Sequence, residues 1–246
     1  NPLDYFDVNV NGTIQLMSIM KKFRVKKLVF SSSATVYGEK ALVPYFENYG
    51  RGSTTNPYST SKAFVEKILE DQVIADSTWS ISILRYFNPI GAHKSGLIGE
   101  NPKGTPNNLL PYLSQVAIGH KDKLDIFGND YSTPDGTCRR DYIHVMDLAI
   151  GHVKALQYTK NSNFEIFNLG SEKPVSVLEI VSSFEKISHI KIPYRFVDRR
   201  DGDIAEFWAN SSKALKKINW KANKTLDEMI NDTWNWLCKN PNGYSK

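Results

Sequence analysis

Cysteine is scarce in this chain. Cys138 and Cys238 stand far apart and form no C-x-x-C pair, which argues against a disulfide framework and reads as reduced thiols in a cytoplasmic protein. The five histidines show no ligand spacing, so no metal is expected. No apolar run approaches the ~20 residues that cross a bilayer, and no basic-apolar-small leader is present, so no membrane partner is expected. Lysine and arginine never gather into a block beyond a few residues, so the net charge of +5 does not point to nucleic acid. Binding of a small anion suffices to explain that charge, and so does chance. A nucleophile elbow, internal repeats and low-complexity tracts are also missing. So is the glycine-rich loop that sets a pyrophosphate on a helix N-terminus: Gly91, Gly96 and Gly99 follow an apolar run but lead into Glu100-Asn101-Pro102, with no helix behind them. Either the protein uses no dinucleotide or the chain lacks its first half. It opens on Asn1 without Met, which leaves room for an absent native N-terminus.

With 41% hydrophobic and 23% charged residues over 246 positions, the chain has the composition of a globular protein with one large domain or two small ones. Apolar residues at helical spacing from Asp4 to Phe23 predict a helix. Lys26 to Phe30 predicts a buried strand that ends on the hydroxyls of Ser31, Ser32 and Ser33. In open α/β sheets ligands bind at the carboxyl ends of strands, so Ser33 stands where a functional hydroxyl would. After a loop-like stretch from Val36 to Thr55, Asn56 and Pro57 open a helix carrying Val65, Ile68, Leu69 and Val73. In its first turns Tyr58 and Lys62 lie four residues apart, on one face. A nearby ammonium and a helix N-terminus both favour a phenolate, which suggests a tyrosine base. Ser80 to Phe87 predicts a second buried strand, with Asn88 at its exit. Helix, strand, helix, strand argues an α/β fold with a parallel sheet.

In the second half, Asn107-Asn108 opens a helix despite Pro111, and Asp125-Ile126-Phe127 reads as a short strand. Arg140 precedes another apolar run, and Asp147 is expected to cap the helix after it. Phe164 to Leu169 reads as a strand. Ser176-x-x-Glu179 and Thr225-x-x-Glu228 are capping boxes, and the polar loop between them carries Arg200 and Asp203. Arginines suit bidentate phosphate binding.

Seven segments occur together and in order: Ser31 to Gly38, Tyr58-x-x-x-Lys62, Arg85 to Pro89, Pro106 to Leu109, Phe127 to Tyr131, Arg140 to Val145 and Arg199 to Asp203. In them the chain closely resembles the UDP-glucose 4-epimerases of the extended short-chain dehydrogenase/reductase family, along essentially its whole length. The resemblance begins roughly a third of the way into the family's chain. It implies a doubly wound (Rossmann) parallel sheet whose first half is absent, with a smaller mixed α/β substrate domain. Residues 1–88 would be the second half of the NAD-binding domain and 89–246 the UDP-sugar-binding domain, with segments near 137–170 returning to the sheet.

The activity implied is reversible epimerisation at C4 of UDP-glucose and UDP-galactose, in galactose metabolism, through a transient 4-keto sugar and bound NADH. Tyr58, its pKa lowered by Lys62 and the nicotinamide charge, would act as base, with Ser33 bonding the same sugar oxygen. Ser33, Tyr58, Lys62 and Phe87 would contact NAD. Asn88, Asn108, Leu109, Asp125, Ile126, Phe127, Arg140, Arg200 and Asp203 would hold the UDP-sugar. Phe207 would wall the sugar's 2-substituent, disfavouring N-acetylated sugars. Val8 departs from the Asn that some members use on NAD. A homodimer is implied for the full-length protein, and inactivity for this chain alone. Two alternatives stand beside this reading. A nucleotide-sugar dehydratase or decarboxylase would need an acid-base pair that Ser59, Thr60 and Ser61 do not supply, and a relic without its cofactor half would bind nucleotide-sugars without catalysis.

Overall fold

The central strand of a parallel sheet is covered on both faces and draws on apolar residues, and Ser80–Tyr86, with Ile81, Ile83 and Leu84 along it, has its first six residues buried. The computed structural model, which describes residues 1–39, 42–104 and 106–244, makes this strand (β2) the centre of a parallel three-stranded sheet. β1 (Lys27–Ser31) pairs with one side, Leu28 opposite Ile81 and Ser31 opposite Leu84. β6 (Phe164–Leu169) pairs with the other, Ile83 opposite Ile166. Parallel neighbours need a crossover, and α3 (Pro57–Ala75) supplies the one from β1 to β2. The chain divides into two compact units. The first comprises Asn1–Phe87, Ala149–Glu172 and Ala209–Lys221, and the second Asn88–Leu148, Lys173–Trp208 and Ala222–Lys246.

In the first unit, Val65, Leu69 and Val73 of α3 pack with Trp79, Ile81, Ile83, Met17 and Met20. Full burial of each such side chain stabilises the fold by about 1.5–3 kcal/mol. The N-terminal helix is divided: α1 (Pro2–Tyr5) passes through a π turn at Phe6–Asn11 into α2 (Gly12–Lys22). Within that wider turn Asn9 donates to Ser61 Oγ at 2.9 Å, a bond that apolar spacing alone does not foretell.

The second unit holds a four-stranded sheet and a two-stranded one. β3 (Asn88–Ile90), β5 (Arg139–His144) and β7 (Pro174–Ser176) run in that order, and β9 (Glu206–Phe207) also pairs with β5. β4 (Leu124–Phe127) pairs in parallel with β8 (Tyr194–Val197). Three helices, α4 (Leu109–Ala117), α6 (Val177–Ser188) and α8 (Leu226–Lys239), bury Leu113, Phe184 and Ile230 in one core. Both capping boxes form, at Ser176 with Glu179 and at Thr225 with Glu228.

Three expectations are corrected. Of the segments near 137–170 expected to return to the first sheet, β6 pairs there, but β5 does not: its backbone groups bond to β3, β7 and β9 instead. The first unit also takes in α7 (Ser212–Ile218), which falls in the range expected to form the second domain. Asp147 does not cap its helix. α5 (Val145–Tyr158) starts two residues earlier, straight from β5, and the Asp147 carboxylate accepts the backbone N–H groups of Asn223 and Lys224. Among the described residues no helix is long and apolar enough to cross a membrane, and no group of three or more His, Cys, Asp or Glu is placed to hold a metal ion.

Candidate active site

In the first unit, chemistry gathers where β1 ends. The chain leaves the sheet at Ser31 and enters a 3₁₀ turn, Ala34–Tyr37, whose N-cap is Ser33. Ser33 Oγ accepts from Thr35 N at 3.2 Å and from Thr35 Oγ1 at 2.9 Å, so the Ser33 proton is left to give to another group. The turn closes on Gly38, at φ +71°, where a Cβ would come within 2.4 Å of Ser53 O. Only glycine fits there. Facing this turn, α3 opens on Asn56, whose Oδ1 accepts from Ser59 N at 2.9 Å, with Pro57 in the first turn. Lys62 reaches across from α3 and donates to Ser31 O at 2.9 Å. Ser33, Tyr58 and Lys62 are thus drawn together by one strand end and one helix start.

The electrostatics correct the expected phenolate. Burial pushes the Tyr58 phenol above its ordinary value, the Ser33 hydroxyl pulls it down, and Tyr86 and Tyr5 add to the rise. Burial also lowers the Lys62 ammonium. The geometry explains why Lys62 does not pull the phenol down. Its hydrogen bond goes to a carbonyl, and its Nζ stands over two aromatic faces, 5.0 Å from the Phe30 centroid and 5.8 Å from that of Tyr58. Tyr5 meets the Tyr58 ring edge-on at 6.2 Å. Burial thus makes the Tyr58 phenol harder to ionise.

In the second unit a cavity of about 400 Å³ is lined by Asn88, Asn108, Leu109, Asp125, Ile126, Phe127, Arg140, Arg200 and Asp203, every predicted substrate residue except Phe207. Strand alternation decides which arginine faces it. Arg139 turns to Glu206 at 2.8 Å and to Pro174 O. Arg140, next along β5, donates to Ile204 O at 2.8 Å and to Asp203 at 3.2 Å. The second arginine pair divides in the same way. Arg199 pairs with Asp130 at 2.7 Å, whereas the Arg200 guanidinium lies 3.8 Å from the Phe127 centroid. Asp125 lines the cavity with its carboxylate bound by Arg195 at 2.6 Å, which holds it below the usual carboxylate range.

Two predicted residues lie elsewhere. Phe207 sits on β9 opposite Arg140 and is half-buried. Phe87 is buried against Tyr45, centroids 6.3 Å apart. Further residues line the cavity that were not among those expected, Tyr112, Cys138 and Tyr142 with Pro106, Asn107, Leu124 and Val177. Tyr142 was signalled by its place two residues beyond Arg140 on one strand; Cys138 carries no such mark. The sequence reading also missed Glu66, which lies fully buried on α3 eight residues after Tyr58 and four after Lys62. A carboxylate on the apolar stripe between Val65 and Leu69 was the signal.

Residues 1–170 match the NAD dependent epimerase/dehydratase family. The UDP-glucose 4-epimerase of Pasteurella multocida is 55% identical over 99% of this chain and 72% of its own length. The human UDP-glucose 4-epimerase is 54% identical over 99% and 70%. Among solved structures, the UDP-glucose 4-epimerase of Bifidobacterium longum in complex with NAD+ and UDP superposes with a TM-score of 0.95 at 50% identity, over 99% of this chain and 72% of that one. Family match, identity and fold agree, and the chain belongs to the NAD dependent epimerase/dehydratase family, with the UDP-glucose 4-epimerases as its relatives.

Proposed function

We propose that this protein interconverts UDP-glucose and UDP-galactose by epimerisation at C4, with NAD as cofactor. The observation that carries the proposal is the cavity of about 400 Å³ in which two arginines, three asparagines and the Phe127 ring converge. Its size suits a nucleotide. Arg140 and Arg200 give the diphosphate two planar cations, and Phe127 an apolar face.

Ser33, Tyr58 and Lys62 take the proton-transfer roles. Tyr58 removes the proton of the sugar's 4-hydroxyl and returns it after the sugar has presented its other face. Ser33, its own oxygen already engaged by Thr35, donates to the same sugar oxygen. The residues fit the nicotinamide end of NAD. Lys62 uses one of its three donors on Ser31 O and can give another to the ribose, and Tyr58 and Ser33 border the same place. Phe87, buried against Tyr45, would support that wall from behind. The chain has no glycine-rich phosphate loop, and no residue is assigned to the pyrophosphate. When bound, NAD supplies the two-electron oxidation and reduction at C4, and its positive charge offsets the burial that makes Tyr58 harder to ionise.

The same reading includes a homodimer, for which the exposed Ile14, Leu16 and Phe64 offer apolar surface, and a cytoplasmic location. Proton NMR of the full-length protein with NAD and UDP-galactose tests the activity. The expected result is UDP-glucose accumulating to a fixed ratio, reached from either sugar. Release of a 4-keto or deoxy sugar, or no conversion, would overturn the proposal.

A further inference from the structure

Behind the candidate catalytic residues lies a fully buried charged pair that proton transfer itself does not use. Arg85 of β2 donates to Glu66 of α3 through Nε at 2.9 Å and Nη2 at 2.6 Å, and neither residue has measurable exposure. The same carboxylate accepts a third bond, from Ser32 Oγ at 2.5 Å. Ser32 is fully buried and directly precedes Ser33, and its backbone N–H continues the sheet by donating to Leu84 O at 2.9 Å.

Along α3, Tyr58, Lys62 and Glu66 are four residues apart and share a face. Opposite them, Ser31 accepts from Lys62 through its carbonyl and Ser32 donates to Glu66 through its hydroxyl. Ser33 is next in line and affects the Tyr58 phenol directly. The strand end is therefore clamped to the helix at two successive residues before the one that does chemistry. Arg85 also stacks on Tyr37, 4.6 Å from its centroid, and Tyr37 donates to Asn168 at 2.6 Å, so the clamp is braced at the far end of the turn that Ser33 opens. A paired buried charge adds little net stability compared with a well-packed apolar pair, but it fixes geometry.

We propose that Glu66 is a positioning residue: through its bond to Ser32 it sets the separation of the Ser33 hydroxyl from the Tyr58 phenol. The inference rests on the roles proposed above for Ser33 and Tyr58. A misplacement of about 1 Å at reacting groups can cost as much as 10²-fold in rate.

Glu66→Gln would leave Arg85 buried without its counter-charge and could unfold the protein, so Ser32→Ala is the informative variant. It removes one hydroxyl and leaves both Arg85 bonds in place. In the enzyme assayed with UDP-galactose, Ser32→Ala is expected to lower kcat about 10- to 100-fold with KM unchanged. In a Ser33→Ala background the same substitution should lower kcat less than twofold, because it acts through Ser33. Hydrogen exchange should quicken at the amides of Ser32 and Ser33 while α3 from Leu69 onward stays protected. An equal loss of kcat in both backgrounds, an unchanged kcat, or exchange that quickens throughout α3 would overturn the proposal. If Ser33→Ala and Tyr58→Phe alone left turnover intact, the proposed function of those residues would fail instead, so the two failures are distinct.

Discussion

Arg140→Ala removes the guanidinium that the cavity holds most firmly. Three bonds fix it, to Arg139 O at 3.0 Å, Ile204 O at 2.8 Å and Asp203 at 3.2 Å, and its side chain is only 14% exposed. A group already held in this way loses little freedom when a ligand arrives, so most of its interaction with a phosphate appears as affinity. A hydrogen bond to a charged partner contributes about 1.5–3 kcal/mol, and its loss weakens binding roughly 10- to 150-fold. The upper part of that range is expected, because Asp203 would be left beside the diphosphate without its counter-charge. Isothermal titration with UDP measures this, and adding Asp203→Asn to Arg140→Ala should recover part of the loss. Arg139→Ala is the internal control. That side chain is turned to Glu206 and Pro174 O, and its removal should change UDP affinity by less than about twofold. An Arg139→Ala loss equal to that of Arg140→Ala, or an unchanged affinity in Arg140→Ala, would refute the assignment of the cavity.

Three further substitutions probe other parts of the account. Burial pushes the Tyr37 phenol up to about 12 against an unfolded value near 10, so the folded state keeps its proton longer. Stability is intact below pH 10 and falls by up to about 2–3 kcal/mol as pH rises through 12; melting curves of Tyr37→Phe should lack this alkaline loss, and equal losses in both proteins would contradict it. Leu69→Ala, in the first unit's core, should cost about 2–5 kcal/mol in urea unfolding, and a cost below 1 would mean that the site collapses around the vacancy. Phe207→Cys, if Phe207 walls the sugar's 2-substituent, should raise kcat/KM for UDP-N-acetylgalactosamine roughly 5- to 150-fold, and no gain removes Phe207 from the sugar site.

What the sequence discloses follows from how local each feature is. β1, β2 and β6 are legible because each carries a short cluster of apolar residues, Leu28 to Phe30, Ile81 to Leu84 and Ile166 with Phe167, and the capping boxes are legible because their partners lie three residues apart. β7 and β9 are not, since three and two residues become strands only by bonding to β5. Asp147 misleads because a carboxylate near a helix start satisfies whichever donors arrive, and here they come from Asn223 and Lys224. The arginine pairs are visible as pairs, but only strand alternation at Arg139 and Arg140, and the partners Glu206 and Asp130, show which member of each faces the cavity. Tyr58 and Lys62 are recognisable by spacing, yet the direction of the phenol's shift depends on the burial of both and on where Lys62 donates.

The central claim is that Tyr58 carries the proton in a C4 epimerisation. Tyr58→Phe keeps the ring and removes the hydroxyl, so the measurement is its kcat on UDP-galactose beside its affinity for UDP. The account predicts a fall of about 10²- to 10⁴-fold in kcat with UDP affinity changed less than twofold. Turnover within tenfold of the unaltered enzyme would contradict it.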